Sequence, residues 1–297
     1  MKLTEGEADE VLGRLSFKRR LGGKDLIVAI ARSWTTGEVL MQAYMNTEAA
    51  RLTLTSGMVT YWSTSRDEMW VKGSTSGDRQ ELKGFSIDCD GDAILLDVNQ
   101  SGHACHTGLD SCFDTYRHIG VEEIKRELVD IVKGEALAMG EFTLTSGKKS
   151  GYYLDIKRAI TRPQNLSLIA RLVALHHVGG VDVIAGPELG AIPIVASVAL
   201  RSGLPYVMLR KGERAHGTGK PIEGELKKGD RVLLMDDVAT TGGSLLKSIE
   251  AIEETGARVN LVICVVDRLE GAAELLRKEK NVELASLMTI GDLGLSP

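Results

Sequence analysis

The stretch RVLLMDDVATTGGS, residues 231–244, decides the fold predicted for the second half of the chain. Its apolar start is typical of a buried strand in a parallel sheet, and the strand ends at two acids, Asp236 and Asp237. A turn of small residues then leads into a helical segment. Ligands of parallel α/β sheets bind beyond the carboxyl ends of the strands. The backbone amides of this turn, together with the helix N-terminus, are therefore expected to hold a phosphate.

Two other phosphate-binding patterns do not fit this turn. The Walker loop G-x-x-x-x-G-K-[ST] is absent, and a Rossmann fingerprint has spaced glycines with no acid pair in front of them. Taken alone, the acid pair could also belong to a turn whose carboxylates cap the following helix. The surrounding sequence decides between these interpretations.

Helical and strand segments alternate on either side of this stretch. Helical patterns cover residues 121–137, 192–203 and 244–256, and short apolar runs cover residues 181–186, 205–210 and 260–267. This order predicts an α/β fold in which helices cover a parallel sheet.

The first half of the chain has a different pattern. Alternating residues predict strands in three stretches, residues 26–34, 58–65 and 85–100. One helix is predicted at residues 46–57, because Asn46 is a suitable N-cap and Gly57 follows the last apolar residue. This half is therefore predicted to be rich in strands.

Length and composition indicate a soluble protein of two domains. At 297 residues the chain exceeds the usual size of one domain, so we predict a strand-rich α+β domain at residues 1–118 and a parallel-sheet α/β domain at residues 119–297. With 43% hydrophobic residues and a net charge of -5, nothing favours nucleic acid as a partner. The N-terminus does not resemble a signal peptide, and no apolar run reaches membrane-spanning length. We expect a cytoplasmic protein.

Three of the four cysteines are close together in the sequence. Cys89, Cys105 and Cys112 are spaced C-x15-C-x6-C, and three thiolates with one open coordination position suit catalytic zinc. The alternative is three reduced thiols with no metal. Cys264 lies in an apolar run and is predicted to be a core residue.

The pentapeptide DCDGD, residues 88–92, has aspartates at alternate positions around Cys89. In a strand these carboxylates would project to one side and the thiol to the other. Carboxylates suit magnesium or calcium, but an EF-hand would need glycine and glutamate where the chain has Ala93 and Asn99. A solvated strand edge is the alternative.

Four stretches of the first domain resemble phosphoribosyl-AMP cyclohydrolase. They are GEVLMQAYMN, VTYWSTSRDEMWVKGSTSG, DCDGDAILLDV and HACHTGLDSCF, and the resemblance runs from about Phe17 to Tyr116. It implies that Cys89 of one subunit and Cys105 and Cys112 of its partner bind Zn²⁺, which requires a dimer. It also implies that Mg²⁺ is bound by three carboxylates, those of Asp88, Asp90 and Asp92.

That family opens the adenine ring of phosphoribosyl-AMP by hydrolysis, so the resemblance implies the same reaction here. Zinc suits it, because the metal lowers the pKa of a bound water toward neutrality. His106 would carry the proton, although an isolated histidine is often a packed or surface residue. Phosphate donors are expected among Trp62, Ser63, Arg66, Lys72 and Ser76, with ordinary loop polarity as the alternative.

In the second domain, residues 231–244 resemble the phosphoribosyl pyrophosphate (PRPP) motif of type I phosphoribosyltransferases. The resemblance implies that Asp236 and Asp237 bind the ribose hydroxyls. It further implies a cradle for the 5′-phosphate made by Ala239, Thr240, Thr241, Gly242, Gly243 and Ser244.

Three further features resemble orotate phosphoribosyltransferase over residues 122–297. In FTLTSGKKSGYYLDIK, Lys148, Tyr152 and Tyr153 would approach orotate. Thr240 and Arg268 would contact the ring and its carboxylate, which an arginine can bind bidentately. RKGERAHGTG resembles a loop that closes over pyrophosphate, and the departing charge would be neutralised by Arg210, Lys211, Arg214 and His216, with Mg²⁺ on the substrate.

One departure from the family is Arg214, which stands where a catalytic lysine is common. The resemblances together predict a bifunctional enzyme acting on phosphoribosyl-AMP and on PRPP with orotate, built as a homodimer or a higher homo-oligomer. Two alternatives remain for the second domain: it uses another base, or it binds PRPP as a sensor without turnover.

Overall fold

The structure is a computed structural model that describes residues 1–21, 23–113, 121–143, 149–176, 179–210 and 221–296. The chain divides into two compact units, Met1–Arg117 and His118–Pro297. Within the described ranges, no helix is long and apolar enough to span a membrane.

In its described residues, the first unit contains two helices and seven strands. They are α1 (Glu5–Leu12), β1 (Arg19–Leu21), β2 (Lys24–Ser33), β3 (Val39–Met45), α2 (Thr47–Ser56), β4 (Thr60–Ser63), β5 (Glu68–Val71), β6 (Gln80–Ile87) and β7 (Ala93–Gln100). The sheet order is β5-β4-β3-β2-β7-β6, and β1 pairs with β2. β2 and β7 run parallel, whereas the other pairs are antiparallel. Residues of α1 and α2 pack on one core with the inward side chains of the strands.

The predicted helix of this unit is confirmed. The Asn46 side chain accepts a hydrogen bond from the Ala49 amide, and Gly57 ends the helix with φ 75°, a conformation that favours glycine. α1 was not predicted, although its sequence carries a capping box: Thr4 and Glu7 each bond the other's backbone amide.

The prediction of one alternating strand across residues 85–100 was wrong. β6 ends at Ile87 and β7 begins at Ala93, so DCDGD is the turn between two antiparallel strands. Gly91 has φ 79°, which allows the chain to reverse there. The three carboxylates are therefore brought together by a turn rather than by the alternation of a strand.

The second unit is an α/β fold, as predicted. Its elements are α3 (Val121–Glu135), β8 (Leu137–Thr143), β9 (Lys149–Leu154), α4 (Ile156–Ile160), α5 (Pro163–His176), β10 (Val183–Pro187), α6 (Ala191–Ser202), β11 (Tyr206–Leu209), β12 (Ile222–Glu223), β13 (Arg231–Ala239), α7 (Gly243–Glu253), β14 (Arg258–Asp267), α8 (Ala272–Lys280) and β15 (Glu283–Thr289). The main sheet has the order β12-β11-β10-β13-β14-β15, and β8 and β9 form a separate hairpin. Within the main sheet, the strand pairs are parallel except for the edge pair of β11 and β12.

The main sheet is covered on both faces. On one face, side chains of α3 to α6 pack with strand residues such as Leu233 and Ile263. On the other face, α7 and α8 pack with the alternate strand residues, such as Leu234 and Val262. Cys264 belongs to this second core and is fully buried, which confirms its predicted role, and burial raises the pKa of its thiol.

Candidate active sites

The carboxylates of the β6–β7 turn form a compact group in the first unit. Asp88, Asp90 and Asp92 each place an oxygen within 4.8 Å of the others. The Lys18 ammonium donates to Asp90 Oδ2 at 2.7 Å and lies 3.6 Å from Asp92 Oδ2. This hydrogen bond lowers the pKa of Asp90. The group therefore already attracts one cation, and its oxygen donors fit a hard divalent ion such as magnesium.

Two of the predicted zinc ligands lie together after β7. Cys105 is buried, and its Sγ is 3.0 Å from the Thr107 hydroxyl oxygen. Hydrogen bonds from Thr107 are the main reason that the pKa of Cys105 is lowered, and a hydrogen bond with Cys112 contributes. The Cys112 amide donates to the Leu40 carbonyl at 2.7 Å, which holds this segment against β3. A lowered thiol pKa favours the thiolate that binds zinc.

The third predicted zinc ligand is elsewhere in the unit. Cys89 is exposed in the carboxylate turn. Among the described residues, which include all four cysteines, only the three aspartates form a metal-sized group of His, Cys, Asp or Glu side chains. One chain therefore gathers Cys105 and Cys112 but not Cys89, and its thiols alone do not complete a three-cysteine site.

His106 lies beside the cysteine pair. Its Nδ1 atom is 4.0 Å from Cys105 Sγ, and the residue is exposed. The neighbouring His103 instead has Nδ1 at 2.9 Å from Asp110 Oδ1, within the same loop. His106 is therefore the imidazole of this loop that is placed next to a predicted metal ligand.

The predicted phosphate donors lie on β4 and beyond it. Trp62 is 9% exposed, with the Lys24 ammonium 5.0 Å from its ring centre. The Ser63 hydroxyl oxygen accepts a hydrogen bond from the Arg66 amide, and the Arg66 side chain is exposed with Glu68 as its ion-pair partner at 3.2 Å. The roles of Trp62, Ser63 and Arg66 in binding phosphate stay predictions.

Lys72, another predicted phosphate donor, lies inside the first unit. It is 6% exposed, and its ammonium donates to the backbone carbonyls of Asp78 at 3.1 Å and His103 at 3.4 Å. Desolvation is the main reason that its pKa is lowered. The spacing of the sequence placed Lys72 among loop donors and gave no sign that the side chain turns inward.

The acid pair of the second unit lies at the end of β13, at the carboxyl edge of the sheet. Asp236 is 7% exposed, and its Oδ1 accepts a hydrogen bond from the Asp237 amide at 2.9 Å. The Oδ1 atom of Asp237 accepts from the Val238 amide at 3.0 Å. Gly190, which precedes α6, leaves the room that the Asp237 carboxylate occupies, because a Cβ there would overlap Oδ2.

The predicted phosphate turn follows directly. Gly242 is the N-cap of α7 with φ 83°, and it has no side chain to bond the first-turn amides. The carbonyls of Ala239 and Thr240 accept from the Arg268 and Ala272 amides at 3.0 and 3.2 Å. These bonds fix the turn to the start of the next crossover. The remaining members of the turn, Thr241, Gly243 and Ser244, continue from it into the helix.

Two of the predicted base-binding residues, Arg268 and Tyr152, are in contact in the second unit. The Arg268 guanidinium carbon is 5.1 Å from the Tyr152 ring centre. Arg268 Nε lies 2.9 Å from Glu270 Oε1, yet this buried atom makes no well-directed hydrogen bond. Tyr153, 47% exposed, packs against Phe142 with 5.6 Å between ring centres. An arginine with an unused donor above an aromatic face can bind a flat anionic ring.

A cavity of about 470 Å³ lies beside the N-terminus of α7. Arg210 and Ser244 both line it, and Arg210 also pairs with Glu223 at 3.0 Å. Lys247, one helical turn after Ser244, lines the same cavity and was not among the predicted site residues. Four predicted residues, Lys148, Lys211, Arg214 and His216, lie outside the described residues.

The acid pair and the glycine turn beyond a parallel sheet define a phosphoribosyltransferase. Residues 159–288 match the family model described as phosphoribosyl transferase domain. The chain is 47% identical over 176 residues to orotate phosphoribosyltransferase of Methanothermobacter thermautotrophicus, an overlap of 59% of this chain and 97% of that protein. The enzyme of Pyrococcus furiosus is 49% identical over 160 residues, covering 52% and 88%. Through its second unit, the chain belongs to the orotate phosphoribosyltransferase family.

The solved structures agree with this assignment. Orotate phosphoribosyltransferase of Mycobacterium tuberculosis, in a crystal structure with PRPP, is similar with a TM-score of 0.50 and 32% identity. The similarity covers 58% of this chain and 99% of that one. The first unit matches a different family model, phosphoribosyl-AMP cyclohydrolase, over residues 41–114.

Proposed function

We propose that the chain is a bifunctional enzyme, which hydrolyses the adenine ring of phosphoribosyl-AMP and transfers a phosphoribosyl group from PRPP to orotate. The two activities belong to domains at residues 1–118 and 119–297. The observation that carries the transferase is the acid pair, Asp236 and Asp237, at the sheet edge next to an uncapped glycine turn. The match to the cyclohydrolase family and the carboxylate and cysteine groups support the first activity.

In the transferase, Asp236 and Asp237 bind the ribose hydroxyls, and the turn at 239–244 binds the 5′-phosphate. Positive charge develops on the ribose as pyrophosphate leaves, so the chain acts mainly by positioning and by neutralising charge. Arg268 binds the carboxylate of orotate, and Tyr152 contacts the ring of orotate. Bound magnesium would neutralise charge on the diphosphate.

In the cyclohydrolase, Cys89 of one subunit and Cys105 and Cys112 of another bind zinc. This explains why one chain leaves Cys89 apart from the other two. Zinc held there would lower the pKa of a water toward neutrality. His106 moves the proton during attack at C6 of the purine, and the carboxylate turn binds magnesium. The active form is then at least a homodimer.

The proposed zinc ligands bear on where the enzyme works. Reduced thiols persist in the cytoplasm, where glutathione and thioredoxin keep them reduced, and zinc-binding cysteines need that state. We therefore place the enzyme in the cytoplasm.

The transferase is tested by following orotate absorbance with purified protein, Mg²⁺ and PRPP. Orotate consumption with release of pyrophosphate is expected. If the protein consumes another base from a panel and does not consume orotate, that base is the substrate. PRPP binding without turnover of any base would make the second domain a sensor.

The cyclohydrolase needs a separate assay, with phosphoribosyl-AMP as substrate and absorbance reporting ring opening. Activity should disappear after zinc is removed with a chelator and return when Zn²⁺ is added. Mixing a Cys89→Ser chain with a Cys105→Ser chain should restore part of the activity, because one mixed dimer site keeps all three thiols. No recovery in proven mixed dimers would contradict the shared site.

A further inference from the structure

Lys72 is a buried cation directly after β5. Two of the three N–H groups of its ammonium donate hydrogen bonds to the backbone carbonyls of Asp78 and His103. Burying a charged group costs free energy unless the group is well paired, so such a lysine is costly as mere packing. With 6% exposure, the Lys72 side chain also presents little surface to a phosphate in solvent.

The His103 carbonyl is where two sets of hydrogen bonds meet. Besides Lys72, it accepts from Gln100 Nε2 at 3.4 Å. Gln100 in turn accepts from Gln80 at 2.9 Å, and the fully buried Gln80 accepts from the Tyr61 hydroxyl at 2.7 Å. A chain of hydrogen bonds therefore extends from the buried Tyr61 and Gln80, through the half-buried Gln100, to the exposed His103.

His103 is also held from its amide side and leads directly to the cysteines. Its amide donates to Asp78 Oδ1 at 3.2 Å, so Asp78 is bonded both to Lys72 and to His103. Two residues later, Cys105 is hydrogen-bonded to Cys112.

We propose that Lys72 is a positioning residue of the zinc site, which fixes residues 103–105 so that Cys105 and Cys112 present their sulfurs to one metal ion. This inference rests on the proposed zinc-dependent cyclohydrolase and replaces the phosphate role predicted for Lys72. Groups that orient metal ligands from behind change metal affinity about 10- to 100-fold when they are removed.

The test is zinc affinity in the full-length protein. Wild type and Lys72→Met are stripped of metal and titrated with Zn²⁺ against a chromophoric chelator. Lys72→Met should bind zinc at least about tenfold more weakly. Lys83→Met is the matched control, since Lys83 lies in β6 of the same unit and pairs with Glu81 at 3.0 Å, and it should bind like wild type.

Cobalt separates positioning from general stability. Co²⁺ in place of zinc gives a thiolate charge-transfer band whose energy and intensity depend on ligand geometry. The band should change in Lys72→Met and stay the same in Lys83→Met. A purely structural lysine would lower the melting temperature of the metal-free protein and leave the cobalt spectrum of the folded protein unchanged, which would overturn the proposal.

The outcomes separate this inference from the proposed function. No zinc binding by wild type would contradict the cyclohydrolase site itself. Zinc binding by wild type with an affinity within twofold in Lys72→Met would overturn the role of Lys72 alone. If Lys72→Met does not fold, Lys72→Gln keeps a neutral donor at the same position, and the same comparison of zinc affinity decides.

Discussion

The guanidinium carbon of Arg268 lies 5.1 Å from the ring centre of Tyr152, although 116 positions separate the two residues in the sequence (268 − 152). Arg268 follows β14 and Tyr152 lies in the β8–β9 hairpin. The Arg268 amide also donates to the carbonyl of Ala239, the last residue of β13, so the contact lies next to the strand that carries the acid pair. This contact makes Arg268 the first residue to test for base recognition.

Arg268→Lys should raise the KM for orotate about tenfold or more and leave the KM for PRPP nearly unchanged. Lysine keeps the charge but loses the flat, two-donor geometry that suits a carboxylate, a loss comparable to one charged hydrogen bond. Steady-state kinetics with each substrate varied in turn measures the split. Arg277→Lys, an exposed change on α8, is the control, and equal effects of the two variants would contradict the assignment.

Gly190→Ala should lower transferase kcat/KM for PRPP about 10²-fold, because the new methyl group overlaps the Asp237 carboxylate and displaces it. Gly134→Ala in α3 has open space around the new methyl and should behave like wild type. Kinetics and PRPP binding are measured for both. Normal PRPP kinetics in a folded Gly190→Ala protein would show that the position of Asp237 is unimportant.

Gly91→Ala should weaken Mn²⁺ binding to the carboxylate turn, measured by calorimetry or electron paramagnetic resonance. Alanine at φ 79° costs about 1–2 kcal/mol, and its Cβ would also come within 2.6 Å of the Arg14 carbonyl oxygen. Gly77→Ala is matched, since Gly77 has φ 86° with open space. The two variants share the backbone cost, so only Gly91→Ala should lose metal. Equal metal affinities of the two variants would show that the carboxylate turn is not the metal-binding site.

Lys18→Met should tighten Mn²⁺ or Mg²⁺ binding by roughly fivefold or more, because it removes a positive charge that lies among the carboxylates. The effect should shrink at high ionic strength, where exposed charges are screened. Lys2→Met is the control, an exposed lysine at the N-terminus. Weaker metal binding in Lys18→Met would instead make the lysine a support of the turn.

Acid should weaken one ion pair that joins two strands of the main sheet. Arg231 bonds both oxygens of Asp182 at 2.9 Å and lowers the pKa of that carboxyl from 3.8 to about 2. A carboxyl whose pKa is lower in the folded state stabilises the fold above pH 3.8, and the effect is lost as pH falls through about 2.

Asp182→Asn should therefore lower the melting temperature by a few degrees at pH 7, with the difference from wild type shrinking between pH 4 and pH 2. The pair is half exposed, so screening keeps the effect small. Differential scanning calorimetry measures it. Glu274→Gln, on α8, serves as the control. A difference that persists unchanged at pH 2 would assign the effect to packing rather than to charge.

Most of the second unit could be predicted from its sequence. The strands around residues 183–187 and 231–239 and the helices after them follow from local periodicity and from glycines that mark the turns. Helix α5 was missed although its residues are apolar at helical spacing, and α1 was missed although its capping box is readable at Thr4 and Glu7. Both helices therefore carry local signals in the sequence and do not depend on tertiary contacts to be predicted.

Other features could not be predicted, because they depend on contacts between distant residues. The DCDGD carboxylates were expected together, but a hairpin turn rather than a strand brings them there, since β6 pairs with β7. Lys72 looked like a loop donor, and only the approach of residues 78 and 103 turns its ammonium inward. Burial and hydrogen-bond partners are set by tertiary packing, which a local pattern does not record.

The sequence by itself determined the two fold classes, the acid pair with its phosphate turn, and the cysteine and aspartate sets, because turn chemistry and hydrophobic period are local properties. Only the tertiary structure decided that Arg268 meets Tyr152, that Gly190 makes room for Asp237, and that one chain holds Cys105 with Cys112 but not Cys89. Each of these depends on the distance between segments far apart in the chain, and that distance is fixed by the packing of the whole unit.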